Sequence, residues 1–209
     1  LGYGTFVMPA IIIVIIQQTL LIGLGMIGGT WREFNLYGKL IPPGRKCMST
    51  LPVMAGKTFA YISVYAVTFT YIFGLHYKLF HLPANGDTGT IIALLIPYLL
   101  ACINLGIAIS TVCRYREQSI MLLLWTSIPI LMLSGASLPR EAIPDWLYAF
   151  GQIFPSSHGV QGFIRVQSMG ANLEEVMPEV RNLWILTLIY GGMAAIGIRY
   201  RLRKAGAKM

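Results

Sequence analysis

The stretch TFVMPAIIIVIIQQTLLIGLGMIGG, from Thr5 to Gly29, decides the fold class of this chain. It contains no Asp, Glu, Lys or Arg, and its only amide side chains, Gln17 and Gln18, lie in its middle. A helix needs about 20 predominantly apolar residues to cross the hydrocarbon core of a bilayer. The stretch is therefore predicted to be a membrane-spanning helix.

The composition of the whole chain supports the same class. Of its 209 residues, 56% are hydrophobic and 11% are charged, whereas soluble domains carry about 25% charged residues. Such a chain cannot cover its surface with polar groups, so most of it is predicted to lie in lipid. The net charge of +8 does not indicate nucleic-acid binding, because the basic residues cluster between apolar runs. The three cysteines have neither disulfide-framework nor metal-site spacing.

Five segments have the length of a helical span and carry no charged residue in their middle. They are Thr5–Gly29, Thr58–Leu79, Thr88–Val112, Gln118–Leu138 and Asn182–Ile198. If these spans alternate in direction, most basic residues fall on one side of the membrane and most acidic residues on the other. The positive-inside rule then places the basic side in the cytoplasm. We expect an all-α, polytopic membrane protein with five transmembrane helices.

The segment 139–180 interrupts this pattern between the fourth and fifth spans. Pro144 suits the first position of a helix, and Pro155 stops the run that follows. Ser156 can cap a second helix, which Gly170 can end. Each helix is too short to cross the bilayer. The pair is predicted to lie on the extracytoplasmic side, either re-entrant or interfacial.

Three polar side chains within the predicted spans, Gln17, Gln18 and Asn104, allow two interpretations. They can line a substrate path, or they can form hydrogen bonds between helices, each contributing around 1 kcal/mol. The spans carry no acidic or basic residue near their middle, where ion-coupled carriers usually keep such groups. The driving energy is therefore expected to come from a partner.

Two sequence patterns resemble active sites, and neither fits one. Gly56-Lys57-Thr58 matches the end of a phosphate-binding loop, but Leu51 occupies the position of its first glycine. Ser156, Ser157 and His158 have no carboxylate placed to orient the histidine. We predict no catalytic, cofactor-binding or metal-binding residues in this chain, although a membrane-embedded lipid-modifying enzyme using His158 and an ion-coupled carrier remain alternatives.

A set of motifs in a fixed order runs through nearly the whole chain. In chain order they are Arg32-Glu33, Gly38, Gly56-Lys57, Gly106, Ser110, Arg114, Ser134-Gly135, Pro139, Pro144-Asp145-Trp146, Pro155, Gly162, Arg165, Gly170 and Pro178. This order resembles the C-terminal half of the type-2 ABC exporter permeases. The chain departs from that family after Glu33, where the family often has charged residues and a Gly-Thr-Leu-Glu run. Here Phe34-Asn35-Leu36-Tyr37 follows, Gly38 comes one residue later than usual, and Lys39-Leu40 comes next.

The resemblance implies that residues 1–209 are the C-terminal part of a longer permease subunit in the bacterial inner membrane. It would export an amphiphilic or lipid-like substrate or a drug, in contact with membrane lipids and without nucleic acid. A second permease subunit, identical or not, and a separate ABC ATPase would be its partners. ATP and Mg²⁺ would bind the ATPase, and this chain would hold no cofactor and perform no catalysis.

The resemblance further implies that segment 30–57 contains a coupling helix that is seated in the ATPase. Aromatic anchors beside a charge pair suit such a docking segment. The expected coupling residues are Trp31, Arg32, Glu33, Phe34, Asn35, Leu36, Tyr37 and Lys39.

Overall fold

A computed structural model describes residues 3–34, 36–37, 50–76, 79, 85–113, 115–134 and 143–206. Its helices, in chain order, are α1 (Tyr3–Glu33), α2 (Thr50–Tyr71), α3 (Thr88–Val112), α4 (Arg116–Leu133), α5 (Asp145–Gly151), α6 (Pro155–Met169) and α7 (Met177–Gly206). A π-helical turn, Ile72–His76, continues α2. These ranges contain no β-strand, which confirms the all-α prediction.

Within the described ranges, three helices are long and apolar enough to cross a membrane: α1 from Met8 to Glu33, α3, and α7 from Met177 to Ala205. The predicted count of five spans is therefore not confirmed. The helices at the two other predicted positions begin before the predicted spans and include charged residues. Helix α2 begins at Thr50 and includes Lys57, and α4 has Arg116 and Glu117 in its first turn.

Helices α1, α3 and α7 run side by side in the same direction and form the core. The Tyr98 hydroxyl of α3 donates to the Ile13 carbonyl of α1 at 2.7 Å, and further along both helices Gly28 contacts Ser110. On the other side of α3, the Thr187 hydroxyl of α7 donates to the Pro97 carbonyl at 3.2 Å. Such interhelical hydrogen bonds and small residues hold membrane helices together where lipid removes the hydrophobic drive.

Helices α2 and α4 run antiparallel to α1. The hydroxyls of Thr19 and Tyr65 lie 3.0 Å apart, and nearer the end of α1 the Lys57 Nζ lies over the Trp31 ring. The start of α4 contacts the end of α1, as the Gly29 position shows: a Cβ there would lie 2.6 Å from the backbone N of Arg116. Adjacent helices therefore alternate in direction along the chain, from α1 to α4.

The predicted short helix pair forms, with corrected boundaries. Pro144 is the N-cap of α5 rather than its first residue, and Phe154, not Ser156, is the N-cap of α6. Pro155 opens α6 because its fixed φ suits the first helical position. Gly170 ends α6 with a φ of 71°, as predicted, since glycine adopts this left-handed conformation without strain.

Helix α6 packs against the core between the middle of the core and one of its ends. Its N-terminal Ser156 contacts Gln17, halfway along α1. At its other end, the Gln167 carbonyl accepts a hydrogen bond from the backbone N of Asn85, just before α3 begins. The helix pair thus reaches from the end of the bundle where α3 starts to the middle of the core.

Candidate functional site

Gln17 joins three helices at the centre of the core. Its Nε2 donates to the Ser156 hydroxyl of α6 at 3.3 Å, and the Cys102 thiol of α3 lies 3.7 Å from its Oε1. The side chain is completely buried. Both ends of the amide therefore have partners, an arrangement that holds helices together.

Gln18 is placed differently from its neighbour. Its side-chain oxygen and nitrogen are both buried, and neither has a hydrogen-bond partner among the residues described. By helical periodicity it shares a face of α1 with Gly25 and Gly29, and Gly29 contacts the start of α4. An unpaired buried amide costs about 1–3 kcal/mol. The Gln18 amide could therefore form hydrogen bonds that none of the described residues supplies.

Asn104 links α3 to α7. Its Nδ2 donates to the Thr187 carbonyl at 3.2 Å, and Gly191 gives it room, since a Cβ there would lie 3.4 Å from the amide nitrogen. The three polar side chains predicted within the spans thus have different surroundings. Gln17 of α1 contacts α3 and α6, Gln18 lies on the side of α1 that faces α4, and Asn104 of α3 contacts α7.

The residues Ser156, Ser157 and His158 are all engaged by the helix pair. Ser156 accepts from Gln17, the Ser157 hydroxyl donates to the Gly151 carbonyl at 2.7 Å, and the His158 Nε2 lies 3.1 Å from the Gln152 carbonyl. These bonds fasten the turn between α5 and α6. They leave no serine within hydrogen-bonding contact of His158 in the way a nucleophile and its base require.

An ion pair that sequence analysis missed joins α6 to α7. The Arg165 Nη1 lies 2.8 Å from the Glu179 Oε1, and the glutamate side chain is only 8% exposed. Its Oε2 is buried and unpaired within the described ranges. Arg165 and Glu179 are 14 residues apart in the sequence. Each lies near an apolar segment, so the sequence alone suggests a single charge at the membrane surface and not an ion pair. No local pattern indicates their pairing.

The opposite end of the bundle is basic, and two arginines converge there on the end of α3. The Arg32 Nη1 of α1 donates to the Val112 carbonyl at 2.6 Å. The Arg201 Nε and Nη2 of α7 donate to the Thr111 carbonyl at 2.9 and 2.6 Å. The last carbonyls of a helix have no partner within it and carry partial negative charge, so cations bind there favourably.

The chain beyond α1 folds back onto this basic end. The Tyr37 ring packs edge-on against Trp31, with ring centroids 5.8 Å apart, and the Lys57 Nζ lies 5.2 Å from the Trp31 centroid. Tyr37 is 5% exposed. Burial raises the pKa of Tyr37, although the charges of Arg201 and Arg32 partly lower it. Trp31, Arg32 and Tyr37 are therefore committed to contacts within the chain.

Glu33 and Phe34 are exposed at the corner where α1 ends, and Phe34 is 63% exposed. Leu36 is half-buried in the short turn that precedes Tyr37. Asn35 and Lys39 lie outside the described residues. The predicted coupling residues thus divide into an anchored group, Trp31, Arg32 and Tyr37, and an exposed pair, which we call the Glu33–Phe34 corner.

The described ranges contain no group of three or more His, Cys, Asp or Glu side chains that could hold a metal ion. Apart from Gln18 and the exposed Glu33, the polar side chains described above form hydrogen bonds, ion pairs or ring contacts between helices, in the turn between α5 and α6 or at helix ends. Long apolar helices, hydrogen bonds between them and a basic end define an integral membrane protein of the helical-bundle class.

The particular family follows from comparison with known proteins. The chain belongs to the ABC-2 family transporter proteins, whose family model matches residues 1–196. No solved structure gives a significant match.

Three curated relatives illustrate the similarity. The chain is 23% identical over 194 residues to the probable multidrug ABC transporter permease YbhR of Escherichia coli, covering 93% of this chain and 52% of the relative. It is 24% identical to ABC transporter G family member 20 of Dictyostelium discoideum, covering 70% of this chain and 21% of the relative. It is 32% identical to the inner membrane transport permease YhhJ of E. coli over 41% of this chain and 23% of the relative. The chain thus spans about half or less of these relatives, and it corresponds to the permease component of ABC transporters.

Proposed function

We propose that this chain forms part of the permease subunit of an ATP-driven exporter in a bacterial inner membrane. The substrate would be amphiphilic, either lipid-like or a drug, and the multidrug name of one relative supports this class. A separate ABC ATPase would bind ATP and Mg²⁺ and supply the energy. The apolar middles of α1, α3 and α7, which lack the charged groups of ion-coupled carriers, support a partner-driven mechanism.

The observation that carries the proposal is the Glu33–Phe34 corner. Its two side chains are exposed, while Trp31 contacts Lys57 of α2 and Tyr37, and Arg32 is bonded to the end of α3. An exposed aromatic residue beside a carboxylate suits insertion into a groove of a partner. A push on this corner would be transmitted through Arg32 to the end of α3. We assign segment 30–57 to coupling with the ATPase on this basis.

For the topology we propose five spans, with α2 and α4 as the second and fourth. Their antiparallel contacts with α1 fit this count. Residues 139–180 would form a re-entrant pair on the extracytoplasmic side, because Ser156 reaches Gln17 in the middle of α1. The basic end with Arg32 and Arg201 would then face the cytoplasm.

A second permease subunit would pack on the free face of α4. Four large apolar side chains at helical spacing lie on this face and are exposed: Met121 at 66%, Leu124 at 57%, Trp125 at 84% and Ile128 at 68%. A copy of this chain or a related permease would cover them. Gln18, on the α4 side of α1, would then lie near the subunit boundary and line the substrate path, while Gln17 and Asn104 hold helices together.

The proposal is tested by purifying the tagged, full-length protein in mild detergent and identifying its partners by mass spectrometry. We expect a stoichiometric ABC ATPase. The same preparation in proteoliposomes should transport an amphiphilic dye when ATP is supplied, without an ion gradient. A preparation that lacks an ATPase in both detergent and nanodiscs would contradict the proposal, as would transport that an uncoupler abolishes while ATP remains.

A further inference from the structure

A groove of about 640 Å³ lies between α2 and α3 and has no role in the function proposed above. Its volume falls within the range of about 300–1,000 Å³ that is usual for small-molecule sites. Ile62 and Leu99 line one end of the groove, and Phe69 lies between the helices nearer the other end. The groove is therefore largely apolar and large enough for a single organic molecule.

The groove is polar at one end only. Thr70, Thr88 and Gln167 line it near the start of α3, whereas Ile62 and Leu99 line the part nearer the middle of the bundle. Because α2 runs antiparallel to α3, both helices present their polar residues to the same end. An apolar pocket with polar groups at one end matches the polarity of an amphiphile.

The side chain of Gln167 determines which chemical group the polar end of the groove would bind. The residue is 2% exposed, and its Oε1 is buried without a hydrogen-bond partner among the described residues. Its backbone carbonyl already fastens Asn85, so the side-chain amide is not needed for that contact. An unsatisfied buried oxygen in a native structure requires an explanation, and a hydrogen-bond donor of a ligand bound in the groove would provide one. The amide oxygen accepts hydrogen bonds, so that ligand would supply a donor.

The length of the groove relates it to the bilayer. From Thr88 to Leu99, α3 rises about 16 Å at 1.5 Å per residue. The hydrocarbon core is about 30 Å thick, so the groove spans roughly one leaflet. The polar end lies at the start of α3, where a span meets the headgroup region. A lipid of the adjoining leaflet would therefore enter with its head at Gln167 and its chain towards Leu99.

We propose that the groove between α2 and α3 binds one membrane lipid, whose aliphatic chain lies along Phe69 and Leu99 and whose head donates a hydrogen bond to Gln167. The ligand class is an amphiphile with a hydroxyl or ammonium donor at the head of a long chain. The site is separate from Gln18 and from the Glu33–Phe34 corner, so it does not depend on ATP coupling.

The test uses the full-length protein in nanodiscs and a diacylglycerol with a diazirine in its acyl chain. Its O-methyl ether, which lacks the donor, is the comparison probe. After irradiation, labelled peptides are mapped by mass spectrometry. We expect labelling on the groove residues of α2 and α3, with the free hydroxyl favoured about five-fold over the ether, the size of one buried hydrogen bond.

Three variants make the result specific. Ile92→Trp, at a half-exposed groove position, should narrow the groove and weaken the labelling without disturbing the core. Leu188→Trp, at an exposed position of α7 outside the groove, is the matched control and should label as the wild type does. Gln167→Leu should keep the labelling and lose the preference for the hydroxyl.

Three results would overturn the proposal. The first is labelling of the groove no stronger than of the lipid-facing side of α7, which would mean that the groove is empty of lipid or is covered by another protein segment. The second is labelling that is undiminished in Ile92→Trp. The third is equal labelling by both probes in the wild type, which would remove the role of Gln167.

Discussion

Arg201 of α7 donates two hydrogen bonds to the Thr111 carbonyl in the last turn of α3, at 2.9 and 2.6 Å. One guanidinium group thereby supplies hydrogen-bond donors to a carbonyl at the end of a neighbouring helix. Arg32 does the same for Val112 from α1. At the basic end of the bundle, the arginines of α1 and α7 thus join these helices to the end of α3.

Arg201→Leu should lower the stability of the bundle by about 1–3 kcal/mol, because charge-assisted hydrogen bonds to a helix end are lost and the carbonyl is left unpaired. The measurement is the thermal unfolding midpoint in detergent. Arg203→Leu is the control, since Arg203 is exposed two residues further along α7. Equal effects of the two substitutions would show that only net charge matters.

Gly28→Ala should disrupt the contact between α1 and α3. A methyl group at this position would overlap the Cβ of Ser110 and approach its backbone oxygen to 2.8 Å, so the helices must separate. Overpacking of this kind costs about 1–3 kcal/mol or more. Gly192→Ala on α7 is the matched control, because a Cβ there meets nothing within 4 Å. Size-exclusion profiles and unfolding midpoints should separate the two variants, and identical profiles would count against close packing at Gly28.

Arg165→Leu should destabilise the join between α6 and α7, because it leaves the buried Glu179 carboxylate without its partner. Removing one member of a buried pair costs about 3–5 kcal/mol, and the half-exposed arginine reduces this towards the surface value. The double variant Arg165→Leu/Glu179→Gln should recover part of the loss, since no buried charge remains. A double variant less stable than Arg165→Leu would contradict this account of the pair.

Gln17→Leu and Gln18→Leu should have opposite effects on stability. The first removes hydrogen bonds that join α1 to α6 and α3, each contributing about 1 kcal/mol in a membrane. The second removes an amide that is buried without partners, so it should be neutral or stabilising. If Gln18 lines the substrate path, its replacement should instead change the transport of amphiphilic dyes. Unchanged transport across several dyes would remove Gln18 from the path.

The helical architecture was predictable because membrane spans are read from length and the absence of charge. The ends of the helices were less predictable. Helices α2 and α4 begin at polar residues before the predicted spans, and tertiary contacts decide where each helix begins. Pro144 became the N-cap of α5 instead of its first residue, and the cap predicted at Ser156 moved to Phe154, whose backbone is extended.

The motif residues of the family resemblance acquired physical roles in the structure. Gly106 lies against Leu24, Ser110 against Gly28, and Gly162 against Leu94, so these positions serve close contacts between helices. Sequence alone could not show that Gln17 has hydrogen-bond partners and Gln18 has none among the described residues. Adjacent residues of a helix point in different directions, and their neighbours are known only from the packing of the helices. It also missed the pair of Arg165 and Glu179, which only the packing of α6 on α7 brings together.

The proposed coupling assigns the decisive contact to the Glu33–Phe34 corner, and one comparison tests it most directly. The full-length permease is co-purified with its ATPase from cells that carry the wild type, Phe34→Ala or Glu33→Ala, and the ATPase per permease is quantified by mass spectrometry. Loss of an aromatic anchor at an interface costs about 2 kcal/mol or more, which is a loss of affinity of about 30-fold, so Phe34→Ala should retain much less ATPase than the wild type. Glu33→Ala should lose export of amphiphilic dyes, and Leu188→Ala, at an exposed apolar position of α7, should behave as the wild type. Full recovery of the ATPase and normal export in both corner variants would contradict the coupling.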